Sequence, residues 1–336
     1  MSYITPCAAF RPDGTMKFAA AGETTGAENP KNLVSLPKAD AIETGELILP
    51  SLAEVDLAFD SKDRILWQYM MPRERPSFTH SLLRDMKLVL DFVERTAESV
   101  PEGRSSPIGY IVLASGMPTI FNLGGDLPYF IRLIETQDRD NLTRYARTCA
   151  YGQYRRATNM NLPLCSIALV QGDALGGGFE VVLAQDVIIA ERSANFGLPE
   201  VLFNMFPGMG ALSYLSRRLD LPRAERMVMS GKIYSAEELH EMGVVDVLVD
   251  DGQGEAAVYD YVRTFERSSG TRRAILKARQ MIHPVPLKEL VDIADLWVDT
   301  ALLLNASDLR RMRHLAKAQD RRWERLVGRR QVSSAR

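Results

Sequence analysis

Gly172-Asp173-Ala174-Leu175-Gly176-Gly177-Gly178-Phe179-Glu180 is the stretch whose reading decides the fold of this chain. It follows residues 166–171, an apolar run of the length and kind that a buried strand shows. It leads into a segment that reads as a helix to about Ala184. No Lys-Ser or Lys-Thr follows the glycines, so this is not a Walker A loop, and the G-x-G-x-x-G spacing of a dinucleotide site is missing. No G-x-S-x-G elbow occurs elsewhere in the chain, which weakens a serine-hydrolase reading. What remains is a glycine-rich turn between strand and helix. Its N–H groups point forward from a helix N-terminus, a place that suits an enolate or a tetrahedral oxyanion. A tight turn that needs small residues only for packing would read the same way.

Working outward, a second turn of this kind is Phe121-Asn122-Leu123-Gly124-Gly125-Asp126-Leu127, again between an apolar run and a helical segment. It can supply a second backbone N–H. Two carboxylates accompany the turns. Glu180 lies one turn inside the glycine-led helix, and Glu200 lies in Phe196-Gly197-Leu198-Pro199-Glu200. Paired glutamates in apolar surroundings can have their pKa values moved apart and divide acid and base roles. Taken singly, each is also an ordinary capping or surface residue. His80, His240, His283 and His314 have no metal-ligand spacing. This reading calls for no metal and no cofactor.

The remaining pattern alternates strands and helices. Strands are predicted over 55–59 and 65–71, around a turn at 61–63, and over 108–114, 166–171, 187–190 and 244–249. Helices are predicted over 82–93, 127–136, 141–160 and 211–230. Another is predicted from Ser235, with Glu238 at the capping-box position, and everything from Gly254 onward reads as helical. Such alternation argues for an α/β fold with a largely parallel sheet. Residues 1–50 carry Gly and Pro among Ala, Thr and Lys with little periodicity, and read as a poorly ordered extension. A core over 51–253 and a helical C-terminal part over 254–336 follow. No repeat of solenoid period is visible.

Composition limits the function classes. The 336 residues are 46% hydrophobic and 25% charged, which excludes a disordered or fibrous chain. A net charge of -2 gives no global attraction to nucleic acid or to an anionic membrane. Cys7, Cys149 and Cys165 form neither a disulfide framework nor a zinc pair. No apolar run approaches the ~20 residues of a spanning helix. No secretory signal opens the chain, so a cytoplasmic protein is expected. The basic C-terminal stretch (Arg310 to Arg325) reads as a solvated helix face or as a docking surface for an acidic partner.

The order and spacing of these motifs resemble the crotonase (enoyl-CoA hydratase/isomerase) superfamily from about Leu52 to Val327. Glu180 and Glu200 match that family's two glutamates. Gly177 and Gly125 match its oxyanion-hole donors. Pro207-Gly208-Met209-Gly210, Ser230-Gly231-Lys232 and Gly243-Val244-Val245-Asp246 match further conserved turns. Within the family, the wording of 174–180 and 198–210, together with Phe78-Thr79-His80-Ser81-Leu82-Leu83 and Trp297-Val298-Asp299-Thr300, is similar to the diffusible signal factor synthases. Those enzymes make cis-2-unsaturated fatty acids used in quorum sensing.

The resemblance implies a crotonase-like ββα spiral whose helical C-terminal part forms a homotrimer or a dimer of trimers. It implies a 3-hydroxyacyl substrate on acyl carrier protein, dehydrated to a cis-2-enoyl thioester and then hydrolysed to the free acid. In that scheme Glu200 takes the α-proton and Glu180 protonates the leaving hydroxyl. Phe203, Met205, Met209, Leu296 and Trp297 line the acyl tunnel, although each also fits an ordinary core position. A sensor kinase is a further implied partner. The alternative within the superfamily is an enoyl-CoA hydratase acting on coenzyme A esters.

Overall fold

The computed structural model describes residues 8–10, 16–18 and 47–334. The expected extension, residues 1–50, lies outside the described residues except for residues 47–50 and an antiparallel pair, β1 (Ala8–Phe10) and β2 (Met16–Phe18). The strands that follow are β3 (Val55–Asp60), β4 (Ile65–Met70), β5 (Tyr110–Ser115), β6 (Thr119–Asn122), β7 (Cys165–Val170), β8 (Gly172–Leu175), β9 (Val187–Glu191), β10 (Asn195–Gly197), β11 (Ile233–Ser235) and β12 (Val247–Val249).

They form two sheets, in the orders β12-β9-β7-β5-β4-β3 and β11-β10-β8-β6. The pairs β4–β5, β5–β7, β7–β9 and β9–β12 are parallel, and β3–β4 is an antiparallel hairpin. Three times in succession a strand of the large sheet is followed at once by a strand of the small one, β5–β6, β7–β8 and β9–β10, before a helix or a 3-10 turn returns the chain. The ββα spiral implied by the resemblance is this arrangement.

The large sheet is covered on both faces, which is why its strands read as unbroken apolar runs. Successive side chains divide between two clusters, as the period of two requires. Leu66, Met70, Ile111, Leu113, Ala168 and Val170 belong to the main core. Ile65, Trp67, Tyr110, Val112, Ile167 and Leu169 pack instead with Val258, Val262 and Phe265 of helix Gly254–Glu266.

Caps set the helix limits. Thr79 accepts from Leu82 N at 3.2 Å to start His80–Glu98, and Asp126 opens Leu127–Glu135 by accepting from Tyr129 N. Ser235 and Glu238 form the expected capping box. Helix Arg139–Ala157 is followed by three residues with positive φ, Asn159, Met160 and Asn161, which reverse the chain into β7.

Two predicted elements are corrected. The helix expected over 211–230 is two helices, Ala211–Arg218 and Leu221–Ser230. Asp220 caps the second, with a proline in its first turn. The strand expected over 244–249 is only β12, because Val244 and Val245 turn into the core. The region after Gly254 is helical: Gly254–Glu266, Ser269–Ile282, Leu287–Leu302 and Ala306–Ser334. Helix Ser269–Ile282 has no fully buried residue, and Leu276 packs partly buried on the outer cluster. Arg279, bonded at 2.6 Å to the buried carboxylate of Asp186, anchors it. Among the described residues no helix is long and apolar enough to cross a membrane.

Candidate active site

The two glycine turns meet. Gly124 and Gly178 approach neighbouring backbone so closely that side chains do not fit. A Cβ at Gly124 would lie 2.9 Å from Leu175 O and 3.0 Å from Gly177 N, and one at Gly178 would lie 2.1 Å from Asn122 O. The first turn is braced from within. Gly124 N donates to the Asn122 side chain at 2.8 Å, Phe78 N donates to Gly124 O at 2.8 Å, and Arg75 pairs with Asp126 at 2.8 Å. Gly177 is the first residue of helix Gly177–Leu183, so its N–H has no partner within the helix. That helix is only seven residues long. The polarity at this point is that of individual N–H groups rather than of a long helix.

Gly125, Gly177, Glu180 and Glu200 line one narrow pocket, with Phe130, Tyr145, Phe203, Met209 and Trp297 around them. All four polar positions singled out in the sequence are therefore brought together. Glu180 is 2% exposed. Its Oε1 accepts from Met209 N, in the Pro207–Gly210 turn, at 2.8 Å and from Ala211 N, which opens the helix after it, at 3.0 Å. Glu200 comes from the 3-10 turn Pro199–Phe203, and its Oε2 is buried with no hydrogen-bond partner among the described residues.

Burial raises both carboxyls, Glu180 to about 7 and Glu200 to about 8. The amides of residues 209–211 oppose the rise at Glu180, whereas the charge of Glu180 adds to it at Glu200. Burial thus favours the protonated form of both carboxyls, and the pair titrates as a unit that shares a proton rather than as two independent acids.

Of the five residues expected to line an acyl tunnel, three border this pocket and two do not. Phe203, Met209 and Trp297 border the pocket. Met205 is buried in the main core rather than in the pocket wall. Leu296 is 57% exposed and lines nothing here, because helix Leu287–Leu302 turns Leu290, Ala294, Trp297 and Val298 inward. Two aromatic residues of the wall had no signal of their own in the sequence: Phe130, edge-on to Trp297 at 5.1 Å, and Tyr145, whose hydroxyl donates to Phe78 O at 2.6 Å. The basic C-terminal stretch is partly used within the chain. Arg313 pairs with Glu135, and Arg322 with Asp173. Among the described residues no group of His, Cys, Asp and Glu could hold a metal ion.

The enoyl-CoA hydratase/isomerase family model matches residues 77–288. A mevalonyl-coenzyme A hydratase of Beauveria bassiana is 45% identical over 86 residues, 26% of this chain and 31% of that protein. The chain spans 61% of each of two further curated relatives, from Bacillus subtilis and Mycobacterium leprae. Among solved structures, an enoyl-CoA hydratase from Bacillus halodurans superposes with a TM-score of 0.63 at 20% identity, over 78% of this chain and 100% of that one. DspI of Pseudomonas aeruginosa superposes with a TM-score of 0.57 at 21% identity, over 72% and 92%. At those identities the likeness is one of fold.

Proposed function

The chain belongs to the enoyl-CoA hydratase/isomerase family, and from that premise we propose that it is a diffusible signal factor synthase. It would dehydrate a 3-hydroxyacyl thioester on acyl carrier protein to the cis-2-enoyl thioester and hydrolyse this to the free cis-2-unsaturated acid. The observation that carries the reading is that Glu180, Glu200 and the two glycine turns, at Gly125 and Gly177, line one largely apolar pocket. The narrower choice within the family rests on the motif wording of 174–180 and 198–210.

In the first step Glu200 takes the α-proton, and electron density moves onto the thioester oxygen. The N–H groups of Gly125 and Gly177 receive that charge, each worth roughly 3 kcal/mol. Glu180 gives its proton to the departing hydroxyl, which leaves as water. Starting from Glu200 as the base requires the shared proton to sit on Glu180. Glu200, with an unpartnered and desolvated oxygen, is the stronger base of the two once ionised. In the second step a carboxylate takes a proton from water as it attacks the thioester carbon. The same two N–H groups hold the tetrahedral oxyanion, and the carrier thiol leaves with a proton.

The same reading gives the protein an acidic carrier protein as partner, a homotrimeric or dimer-of-trimers assembly and a sensor kinase as regulatory partner. Ile275, Met281 and Ile282, exposed on a helix with no fully buried residue, support an assembly surface in the C-terminal part.

The test is mass spectrometry of lipid extracts from a host expressing the wild type, Glu180→Ala or Glu200→Ala. Free cis-2-enoic acid from the wild type alone is the expected result. Hydration of trans-2-enoyl-CoA by purified protein with no release of acid would replace the proposal with a coenzyme A ester hydratase.

A further inference from the structure

A second cavity, of about 300 Å³, lies beside the first, between helices His80–Glu98 and Arg139–Ala157. Met209 borders both cavities, so one unbranched, adaptable side chain divides them. Phe78, Met86 and Leu90 make the second cavity apolar for most of its surface. Its far end is different in kind. Arg156 is 4% exposed and Gln153 is 2% exposed. One guanidinium nitrogen of Arg156 and both amide atoms of Gln153 are buried without a hydrogen-bond partner among the described residues.

The neighbouring cations are already neutralised. Arg155 holds Asp91 and Glu94, each at 2.8 Å, and Lys87 holds Asp91 at 2.6 Å. Among the described residues, Arg156 donates to the neutral oxygen of Gln68, at 3.2 Å, and pairs with no carboxylate. Burial and the adjacent Arg155 pull its affinity for a proton down to about 10, and no carboxylate opposes this. A buried cation with no counter-charge is among the more costly arrangements a fold can hold.

We propose that this cavity receives the far end of the acyl group and that this end carries a carboxylate, bound by Arg156 and Gln153. The proposal rests on the acyl-thioester reading above and names the substrate class of that site: a thioester of a 3-hydroxy dicarboxylic acid. A methyl-ended chain entering here would leave the unpartnered atoms of Arg156 and Gln153 unpaired, a penalty for each such group. A carboxylate supplies the missing charge and accepts from the planar guanidinium fork. The span is adequate. Tyr145 borders the first cavity and Arg156 the second, along one face of a single helix, and between them that helix rises roughly 16 Å.

Calorimetric titration of the purified full chain with a matched medium-chain acid and α,ω-diacid, each capped at one end as its N-methyl amide so that the far carboxylate of the diacid is the one free carboxylate in the comparison, tests the proposal without requiring turnover. The expected result is diacid binding tighter by about tenfold or more. That preference should be lost in Arg156→Met, partly kept in Arg156→Lys and reduced in Gln153→Leu. Equal affinity for acid and diacid in the wild type overturns the proposal, as does a preference that survives in folded Arg156→Met. Should Arg156→Met not fold, an undiminished preference in Gln153→Leu overturns it instead. A preference for diacid in a protein that releases no free enoic acid would leave this site standing and remove the synthase reading. The converse result would remove only the site.

Discussion

Gly176 presents its α-carbon to the carboxylate of Glu200: a Cβ there would lie 2.6 Å from Glu200 Oε1. The backbone at Gly176 has φ +52° and ψ −128°, a region that side chains other than hydrogen disfavour. Gly176→Ala is therefore strained in two ways at once. It should cost roughly 1–3 kcal/mol of stability and displace Glu200, lowering kcat with it. Thermal melting and steady-state kinetics on the same preparation check both effects. Wild-type values for either would mean that the turn is more pliable than its geometry indicates.

Glu180→Gln and Glu200→Gln should each lower turnover by roughly 10²–10⁴-fold if both carboxylates move protons. A loss confined to one of them would leave the other with only a positioning role. The measurement is single-turnover kinetics with a 3-hydroxyacyl thioester.

Stability should respond to pH in a defined direction. Both carboxyls bind protons more tightly in the folded chain than at their ordinary value of 4.5. The stabilisation this gives is complete below the ordinary value, and is lost as pH rises through about 7 and about 8. The glutamine variants should therefore lose less stability than the wild type over that rise. Urea unfolding across the range, wild type against variant, reads the difference, and parallel curves would refute it.

Activity should peak while the pair holds one proton, between about pH 7 and 8, and fall on both sides. A kcat profile that is flat through this window would place the acid and the base elsewhere.

Adjacent residues on helix Leu287–Leu302 should behave oppositely. Trp297→Ala removes a 9% exposed ring packed on Phe130 and should cost about 3–5 kcal/mol, while Leu296→Ala should stay within about 0.5 kcal/mol. Thermal denaturation of the two variants separates them.

The sheet strands that the sequence made visible are those buried on both faces, such as β5 and β7, where apolar runs are unbroken. The small sheet was not visible. β6, β8 and β10 are three or four residues long, too short for alternation to register, and β8 lies inside the glycine-rich motif itself. The spiral repeat was hidden because its turns are unequal: the large-sheet strands begin at 110, 165 and 187. The break at Leu219 was signalled by Asp220 ahead of a proline, a capping pattern lost within a longer apolar periodicity.

At the site, Glu180, Glu200, Gly125 and Gly177 were legible through motif spacing. Leu296 was misplaced because its neighbour Trp297 takes the inward position on the helix. Arg156 and Gln153 could not have been found. An arginine in the last turn of a helix ordinarily faces solvent and complements the carbonyl end, and only the packing of two helices reveals that this one does not.

The last long helix, Ala306–Ser334, touches both glycine turns from behind. Gln319 donates to Leu123 O at 3.0 Å, and Arg322 reaches Asp173 and Thr119 O. Trp323 and Leu326 cover Ile120 and Leu123. During synthesis the strands and turns leave the ribosome well before this helix does, since elongation proceeds at roughly 5–20 residues per second. A nascent chain can therefore assemble its sheets while the backing of its turns is still unmade. Competence for chemistry would then wait until Gln319, Arg322 and Trp323 have docked behind the turns.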